Sequence, residues 1–361
     1  MSTLTTNYLT PTGREEDWRF TPLSRLAGLH DSAIEIGEGI AFDLPILPAG
    51  VSFEVLDRSL VTASSETKDL VISRVRETVT HIGTVKIAAN SEIADPIYLN
   101  RKASSGKPLF SRTIITAGAN SHATVVVENN GIEILGEEIE IILEPGSNLT
   151  FISLQEWDAQ SVHVGRHHAI IGKDASFKSF VVTIGGSVVR LLPTVEYSGE
   201  RSSAELNGVY FATAGQHLEH RIHVDHNIPN AKSRVNYKGA LSGNNARTVW
   251  IGDVYIHAAA EGTDTYELNR NLLLSDGARA DSVPNLEIET GEIVGAGHAS
   301  TTGRFDDEQL FYLQSRGISA DIARRLVIRG FFSDIIGRIG IPAIEERVMN
   351  RIDTELESVG V

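Results

Sequence analysis

The chain of 361 residues contains no cysteine. Disulfide bonds, thiolate metal ligands and thiol nucleophiles are therefore excluded from it. Positive charge is also scarce, because 32 lysine and arginine residues stand against 47 acidic residues and give a formal net charge of −15. This charge would repel phosphate-rich partners such as nucleic acid or an anionic membrane surface. We therefore expect neither kind of partner.

Long apolar runs and nucleotide-binding loops are missing as well. No apolar run approaches the ~20 residues that a membrane-spanning helix needs. The N-terminal residues lack the basic start and the apolar core of an export signal. The phosphate-binding pattern G-x-x-x-x-G-K-S/T is absent, since Pro108 and Asp174 follow the two Gly-Lys pairs. These absences predict a cytoplasmic protein that does not hydrolyse nucleotides by itself.

The chain does contain a repeated pattern of two apolar runs separated by a turn with a small residue. These small residues are Ser91, Ala119, Ser147, Ala175 and Ala204, at almost equal intervals of about 28 residues. Ala246 and Ala278 extend the series at longer intervals. A period of this length is typical of solenoid proteins, in which each repeat covers the open face of its neighbour.

Valine, isoleucine, threonine and phenylalanine dominate the repeated runs, which indicates strands and not helices. The predicted fold class is therefore mainly β, as a β-solenoid. Small corner residues would avoid collision with the next coil, which lies ~4.8 Å away. A β-sandwich would also contain short strands and regular turns, but it would not require such a constant spacing.

Both ends of the chain differ from the repeats. We divide the chain into an N-terminal mixed or helical region (1–80), a β-helix core (81–304) and a C-terminal helical region (305–361). Acidic residues followed by aromatic ones predict a docked terminal helix near residues 13–23.

The C-terminal region carries helix start and stop signals. Asp306 is the predicted N-cap of a first helix, and Gly317 is its predicted C-terminal residue. Pro342 is expected in the first turn of a last, amphipathic helix whose apolar residues recur in steps of four. Such helices could cover part of one end of the coil stack.

Several motifs closely resemble the SufB/SufD family of iron–sulfur cluster assembly scaffolds. They are the segments Glu16–Thr21, Asn236–Gly239, Pro284–Ile288, His298–Gly303 and Glu308–Ile318. The short length, the Trp-Arg-Phe-Thr motif and the absence of cysteine are more similar to SufD than to SufB. The resemblance implies a right-handed parallel β-helix with helical ends.

The resemblance also implies a function. It predicts a non-catalytic scaffold subunit that pairs with a SufB-like subunit and a SufC-like ABC ATPase, and that supports iron acquisition and formation of a nascent iron–sulfur cluster. It implies no cofactor bound stably by the isolated chain and leaves flavin binding, and a homodimer of the free chain, open. His298 is the candidate cluster ligand at the SufB contact, although Ala296 replaces the cysteine usual in SufD. The predicted SufC-binding residues are Leu326, Phe331, Phe332, Ile335 and Ile336.

Two other function classes are alternatives to a scaffold subunit, and one series of histidines resembles a metal site. A β-helix carbohydrate-active enzyme would need paired carboxylates aligned on successive coils, and a self-associating structural solenoid would need none. Four histidines recur every third residue at His217, His220, His223 and His226. The pleat of a strand would send alternate members of this series to opposite faces and leave same-face members roughly 20 Å apart, so no shared metal is expected.

Overall fold

The computed structural model describes residues 10–39, 42–44, 46–61, 65–101, 107–304 and 307–360. Its strands, in chain order, are β1 (Gly37–Glu38), β2 (Phe42–Asp43), β3 (Val51–Asp57), β4 (His81–Ile87), β5 (Ile97–Arg101), β6 (Pro108–Ala117), β7 (His122–Gly131), β8 (Ile134–Leu143), β9 (Asn148–Trp157), β10 (Val162–Ile171), β11 (Ser176–Ile184), β12 (Val188–Tyr197), β13 (Ser203–Ala212), β14 (His217–His226), β15 (Lys232–Leu241), β16 (Arg247–Ile256), β17 (Asp264–Leu273), β18 (Arg279–Ile288) and β19 (Gly295–Arg304).

These strands alternate between two sheets. The even-numbered strands from β4 to β18 form sheet A with β3 and β1, and the odd-numbered strands from β5 to β19 form sheet B with β2. From β4 onward, neighbours within each sheet are parallel, so the chain winds as a β-solenoid of about seven turns. The predicted mainly β fold class and β-helix are confirmed.

The register of the sheets gives the length of each coil. Thr194 pairs with His168, 26 residues earlier, whereas Asn285 pairs with Asp253, 32 residues earlier. The strands from β6 onward keep nine or ten residues, so the extra residues of the later coils lie in the corners. The constant spacing predicted from the sequence is therefore only approximate, because the coils lengthen toward the C-terminal end.

Small residues do form a column at one corner of the solenoid. The residues that precede the in-register starts of the sheet B strands are Ser91, Ser121, Ser147, Ala175, Ser202 and Ala231. Three of the predicted positions belong to this column, but Ala119 and Ala204 each lie two residues away from it. Ala246 and Ala278 belong to the opposite corner, just before β16 and β18. Because small residues occupy both corners, spacing alone cannot assign them.

Alternate residues of each strand point into the solenoid and form one continuous core. Its largest side chains are Trp157, Trp250, Tyr197, Tyr210 and Tyr237. At the N-terminal end, sheet A finishes in β3 and sheet B in β2, which pair antiparallel with β4 and β5. At the C-terminal end, β18 and β19 are the outermost strands, and each pairs on one side only within the described ranges.

The helix predicted near residues 13–23 does not form. Residues 14–30 contain successive turns and one short 3-10 helix, Leu23–Arg25. The Glu15 carboxylate accepts hydrogen bonds from the backbone amides of residues 12–14. These local bonds stabilise a turn and compete with helix formation.

This N-terminal segment nevertheless docks on the outer face of sheet A. Trp18 is buried there, and the guanidinium carbon of Arg190 lies 4.2 Å from its ring centroid. Helix α1 (Leu70–Thr78) packs on the same face, against β6, β8 and β10. Asp69 caps α1 by accepting hydrogen bonds from the amides of the first turn.

Three helices follow the last strand: α2 (Asp307–Ser315), α3 (Ala320–Ile336) and α4 (Pro342–Ser358). Gly317 has a φ of 83°, and Pro342 lies in the first turn of α4, so both predictions are confirmed. The predicted cap Asp306 lies outside the described residues. The buried side of α4 recurs every four residues, as predicted. Among the described helices, none combines the length and the apolar character that a membrane crossing requires.

Helices α3 and α4 cover the outer face of sheet B with an apolar cluster. Polar contacts fix their position. The Lys238 ammonium donates to the Phe331 carbonyl at 2.7 Å and pairs with Asp334, while Arg347 of α4 pairs with Glu128 and Glu156 of sheet B. The helical tail is therefore attached along the side of the solenoid and leaves the edge strands of its last coil unpaired within the described ranges.

Candidate functional site

His298 lies on β19, the outermost strand of sheet B, and not in the connecting loop that the sequence suggested. Its side chain is exposed. It pairs in register with Glu267 of β17. Because in-register neighbours of a parallel sheet share a face, and Glu267 is buried on the inner face, His298 lies on the inner side of the last coil. The candidate ligand is therefore at the open mouth of the solenoid.

Small and polar residues surround His298 on this coil. Ala296 and Ser300 flank it at the two positions that share its face. One coil below, the Asn271 amide donates hydrogen bonds to Ser282 at 3.0 Å and to Thr302 at 3.4 Å. The mouth therefore leaves room around the imidazole and has a polar floor.

The floor of the mouth is a connected polar network. Tyr210 donates to the Asn271 side-chain oxygen at 2.7 Å, and the Asn269 amide donates to the Tyr210 hydroxyl at 2.9 Å. Ser282 donates to the Asn269 side-chain oxygen at 2.8 Å. These polar groups are buried but satisfied, as folded proteins generally require.

Glu267 differs from this network. It is 1% exposed, and neither carboxyl oxygen has a hydrogen-bond partner in the described part of the chain. Burial raises the pKa of Glu267 to about 8, and the negative charge of Asp253 adds to the effect. The indole nitrogen of Trp250 also lacks a partner there. Sequence reasoning missed Glu267 because its link to His298 depends on the register of β17 and β19.

The described residues contain no group of three or more histidine, cysteine, aspartate or glutamate side chains that could hold a metal ion. His298 and Glu267 provide one imidazole and one carboxyl, a donor pair that suits ferrous iron but fills only part of its coordination shell. The residues therefore fit an iron cargo only if other ligands come from solvent or from a second chain.

The four-histidine series divides between two faces, as predicted. His220 and His226 are buried inside the solenoid, whereas His217 and His223 point outward. Burial lowers the pKa of His220 to about 3 and that of His226 to about 4, so both are neutral at physiological pH. Burial gives His220 and His226 a role in the core, whereas His217 pairs with Glu219 on the outer face and His223 is exposed.

The predicted SufC-binding residues divide into buried and exposed members. Phe332, Ile335 and Ile336 are buried against sheet B, and Phe331 is half-buried. Leu326 is 46% exposed on the outer side of α3. The buried members are not available for contact while α3 stays docked.

An exposed apolar patch extends from Leu326 onto the neighbouring helix. Its other members are Ile322 of α3 and Phe311 and Tyr312 of α2, of which Phe311 is 75% exposed. The sequence pattern assigns Leu310, Phe311 and Leu313 to one apolar face of α2; Leu310 is buried as expected, but Phe311 is exposed. We call these four exposed residues the α2–α3 patch.

Carboxylates on the outer face of sheet A are paired with arginines. Glu138 forms ion pairs with Arg76, Arg112 and Arg166. Further along the face, Arg190 pairs with Asp69 at 2.6 Å and with Glu219 at 3.2 Å. A pocket of about 300 Å³ beside them is lined by Arg166, Arg190 and Arg221. Carboxylates neutralised in this way are poorly placed for general acid or base catalysis.

Comparison with known proteins agrees with this architecture. The family model described as "SUF system FeS cluster assembly, SufBD core domain" matches residues 99–331. An iron–sulfur cluster assembly SufBD family protein of Mycobacterium leprae is 45% identical over 355 residues, covering 96% of this chain and 90% of that protein. A SufBD family protein of Mycobacterium tuberculosis is 44% identical over 356 residues, with coverage of 96% and 89%. The iron–sulfur cluster assembly protein SufD of Escherichia coli is 28% identical over 228 residues, covering 63% and 53%.

Proposed function

Because this chain belongs to the SufBD family of iron–sulfur cluster assembly proteins, we propose that it is a SufD-like, non-catalytic scaffold subunit. It pairs with a SufB-like subunit through the open end of its solenoid and recruits a SufC-like ATPase through the α2–α3 patch. The nascent iron–sulfur cluster is its cargo, and the isolated chain binds no cofactor stably. We place this activity in the cytoplasm.

The observation that carries this proposal is the asymmetry between the two ends of the solenoid. At the N-terminal end the two sheets finish in short antiparallel strands of seven and two residues, β3 and β2, whereas at the other end both finish in parallel edge strands of ten residues, β18 and β19. Edge strands present unpaired backbone groups that readily pair with another chain. Two large apolar residues, Ile288 and Val294, are also exposed on this last coil. A partner that covers the open end would bury both features and would meet His298.

The α2–α3 patch supports a second contact. Ile322 and Leu326 lie on α3, whose other side is anchored to sheet B, and α2 packs against α3, so the patch has a fixed support. Phe332, Ile335 and Ile336 support this contact indirectly by holding α3 in place. The missing phosphate-binding loop leaves ATP hydrolysis to the partner that docks here.

The carbohydrate-active alternative has less support. The buried carboxylates of sheet A are committed to arginine pairs, and Glu267 lies inside the solenoid. A second copy of this chain could also cover the open end. Homodimer formation is therefore the alternative to pairing with a SufB-like subunit at this surface.

Co-purification with the SufB-like and SufC-like proteins of the same organism tests the proposal. Val294→Asp should abolish pairing with the SufB-like subunit, because it places a charge in the buried contact. Ile46→Asp is the matched control, since Ile46 is also an exposed apolar residue but lies in the N-terminal region of the chain. A wild-type chain that stays a homodimer in the presence of both proteins would contradict the proposal.

A further inference from the structure

A buried carboxyl group without a hydrogen-bond partner is costly, so its presence requires an explanation. Burying a polar group without compensation costs about 1–3 kcal/mol in protein mutational data, and a charged one costs more. An apolar residue would fill the same interior position at lower cost. Packing within the folded chain therefore does not explain why a glutamate stands at position 267.

The backbone leaves space for this carboxyl group. A Cβ atom added to Gly252 would lie 2.8 Å from Oε1 of Glu267 and 2.4 Å from the Trp250 ring. The glycine therefore allows Glu267 to extend across the interior toward sheet A. Pro284 is the in-register neighbour of Gly252 on the last coil, so only one layer of residues separates this space from the open end.

The backbone positions of Glu267 and His298 lie one above the other in the solenoid. They are in-register neighbours on adjacent parallel strands, at a spacing of ~4.8 Å, and both lie on the inner face. Two donors one strand apart can share an ion, unlike two donors separated by six residues of one strand. Imidazole and carboxylate together suit ferrous iron.

We propose that Glu267 is a second iron ligand of this chain, so that Glu267 and His298 form a two-donor site for ferrous iron at the mouth of the solenoid. The carboxyl group binds as a carboxylate and releases its proton to solvent. Water fills the remaining coordination positions in the isolated chain, and groups of the partner subunit replace it in the complex. The inference rests on the proposed function for iron as the cargo and for His298 as its first ligand.

Anaerobic titration of the full-length chain with Co²⁺, a spectroscopic probe for ferrous sites, tests the proposal. Wild type should show a ligand-field spectrum, and Glu267→Gln and His298→Ala should each weaken Co²⁺ binding by about tenfold or more. Glu287→Gln is the matched control, because Glu287 is exposed on the same last coil but points outward. It should bind Co²⁺ like wild type.

Thermal unfolding separates a ligand from a structural residue. Glu267→Gln keeps the size and polarity of the buried side chain but cannot form a carboxylate, so its melting temperature should stay close to that of wild type while Co²⁺ binding falls. Wild-type Co²⁺ affinity in Glu267→Gln, or no Co²⁺ binding by the wild-type chain, would overturn the inference. Co-purification of Glu267→Gln with the SufB-like and SufC-like proteins is measured in parallel, so that failure of the site is distinguished from failure of the scaffold function.

Discussion

Tyr210 and His220 stack inside the solenoid, with ring centroids 5.0 Å apart and planes inclined by 21°. The pair joins opposite sheets across the core, since β13 belongs to sheet B and β14 to sheet A. A neutral imidazole suits this position, because a charged ring would have to be desolvated in a mostly apolar interior.

We predict that stability falls steeply in mild acid. Burial lowers the pKa values of His163, His167 and His220 to about 3 and that of His226 to about 4. Their folded pKa values lie below the unfolded value of about 6.5, so the unfolded chain binds more protons between these values. The stabilising contribution is present above pH ~6.5 and is lost as the pH falls toward 4.

Urea unfolding between pH 7.5 and 4.5 measures this effect. Glu267 acts in the opposite direction, because its raised pKa makes the folded chain bind a proton more tightly, but one carboxyl group does not offset four histidines. His223→Gln is the control, since His223 is exposed and its loss should leave the pH profile unchanged. A flat profile over this range would contradict the buried neutral state of the histidines.

Corner packing predicts that substitution by tryptophan destabilises the protein to different extents at two alanines. Ala175 belongs to the buried corner column, whereas Ala119 is partly exposed in its turn. Ala175→Trp should destabilise the protein by about 1–3 kcal/mol or more through overpacking. Ala119→Trp should cost distinctly less. Urea denaturation midpoints compare the two variants, and equal losses would show that Ala175 does not limit corner size.

We expect substitutions in the α2–α3 patch to affect partner binding and not the stability of the fold. Leu326→Asp and Phe311→Asp should abolish binding of the SufC-like ATPase with little change in melting temperature, because Phe311 is 75% exposed and Leu326 is 46% exposed. Phe332→Ala should instead destabilise the chain by about 3–5 kcal/mol, since Phe332 is fully buried. Retained binding by both aspartate variants would place the docking surface elsewhere.

Removing Arg190 should show how much stability is lost when a buried network of ion pairs is broken. Arg190→Ala would leave Asp69 and Glu219 buried without their shared cation and should cost about 3–5 kcal/mol. Arg201→Ala is the control, because its pair with Asp174 is exposed to solvent and should contribute nothing measurable. Chemical denaturation of both variants provides the comparison. Equal stability of the two would mean that the network does not hold the N-terminal segment.

The sequence was sufficient for the fold class because strand-forming residues and small corner residues recur along the chain. It was insufficient for register. Glu267 and His298 lie one coil apart, and this coil contains 31 residues. The in-register pair Asn271 and Thr302 is separated by the same number of residues. The repeats nearer the N-terminus suggested a period of about 28, and a difference of three positions is enough to hide such a pair. The N-terminal helix was mispredicted for a local reason. The hydrogen bonds that the Glu15 carboxylate accepts from neighbouring backbone amides leave no trace in the hydrophobic periodicity of the sequence.

The lengthening of the coils makes the solenoid non-modular. Proteins built from equal repeats can gain or lose a unit, because every unit fits every other. Here a coil of 26 residues and one of 32 residues have different corners, so removing one would bring together coils that do not match. The number of turns is therefore fixed by the shape of each coil, and so is the distance from the docked N-terminal segment to the mouth that carries His298.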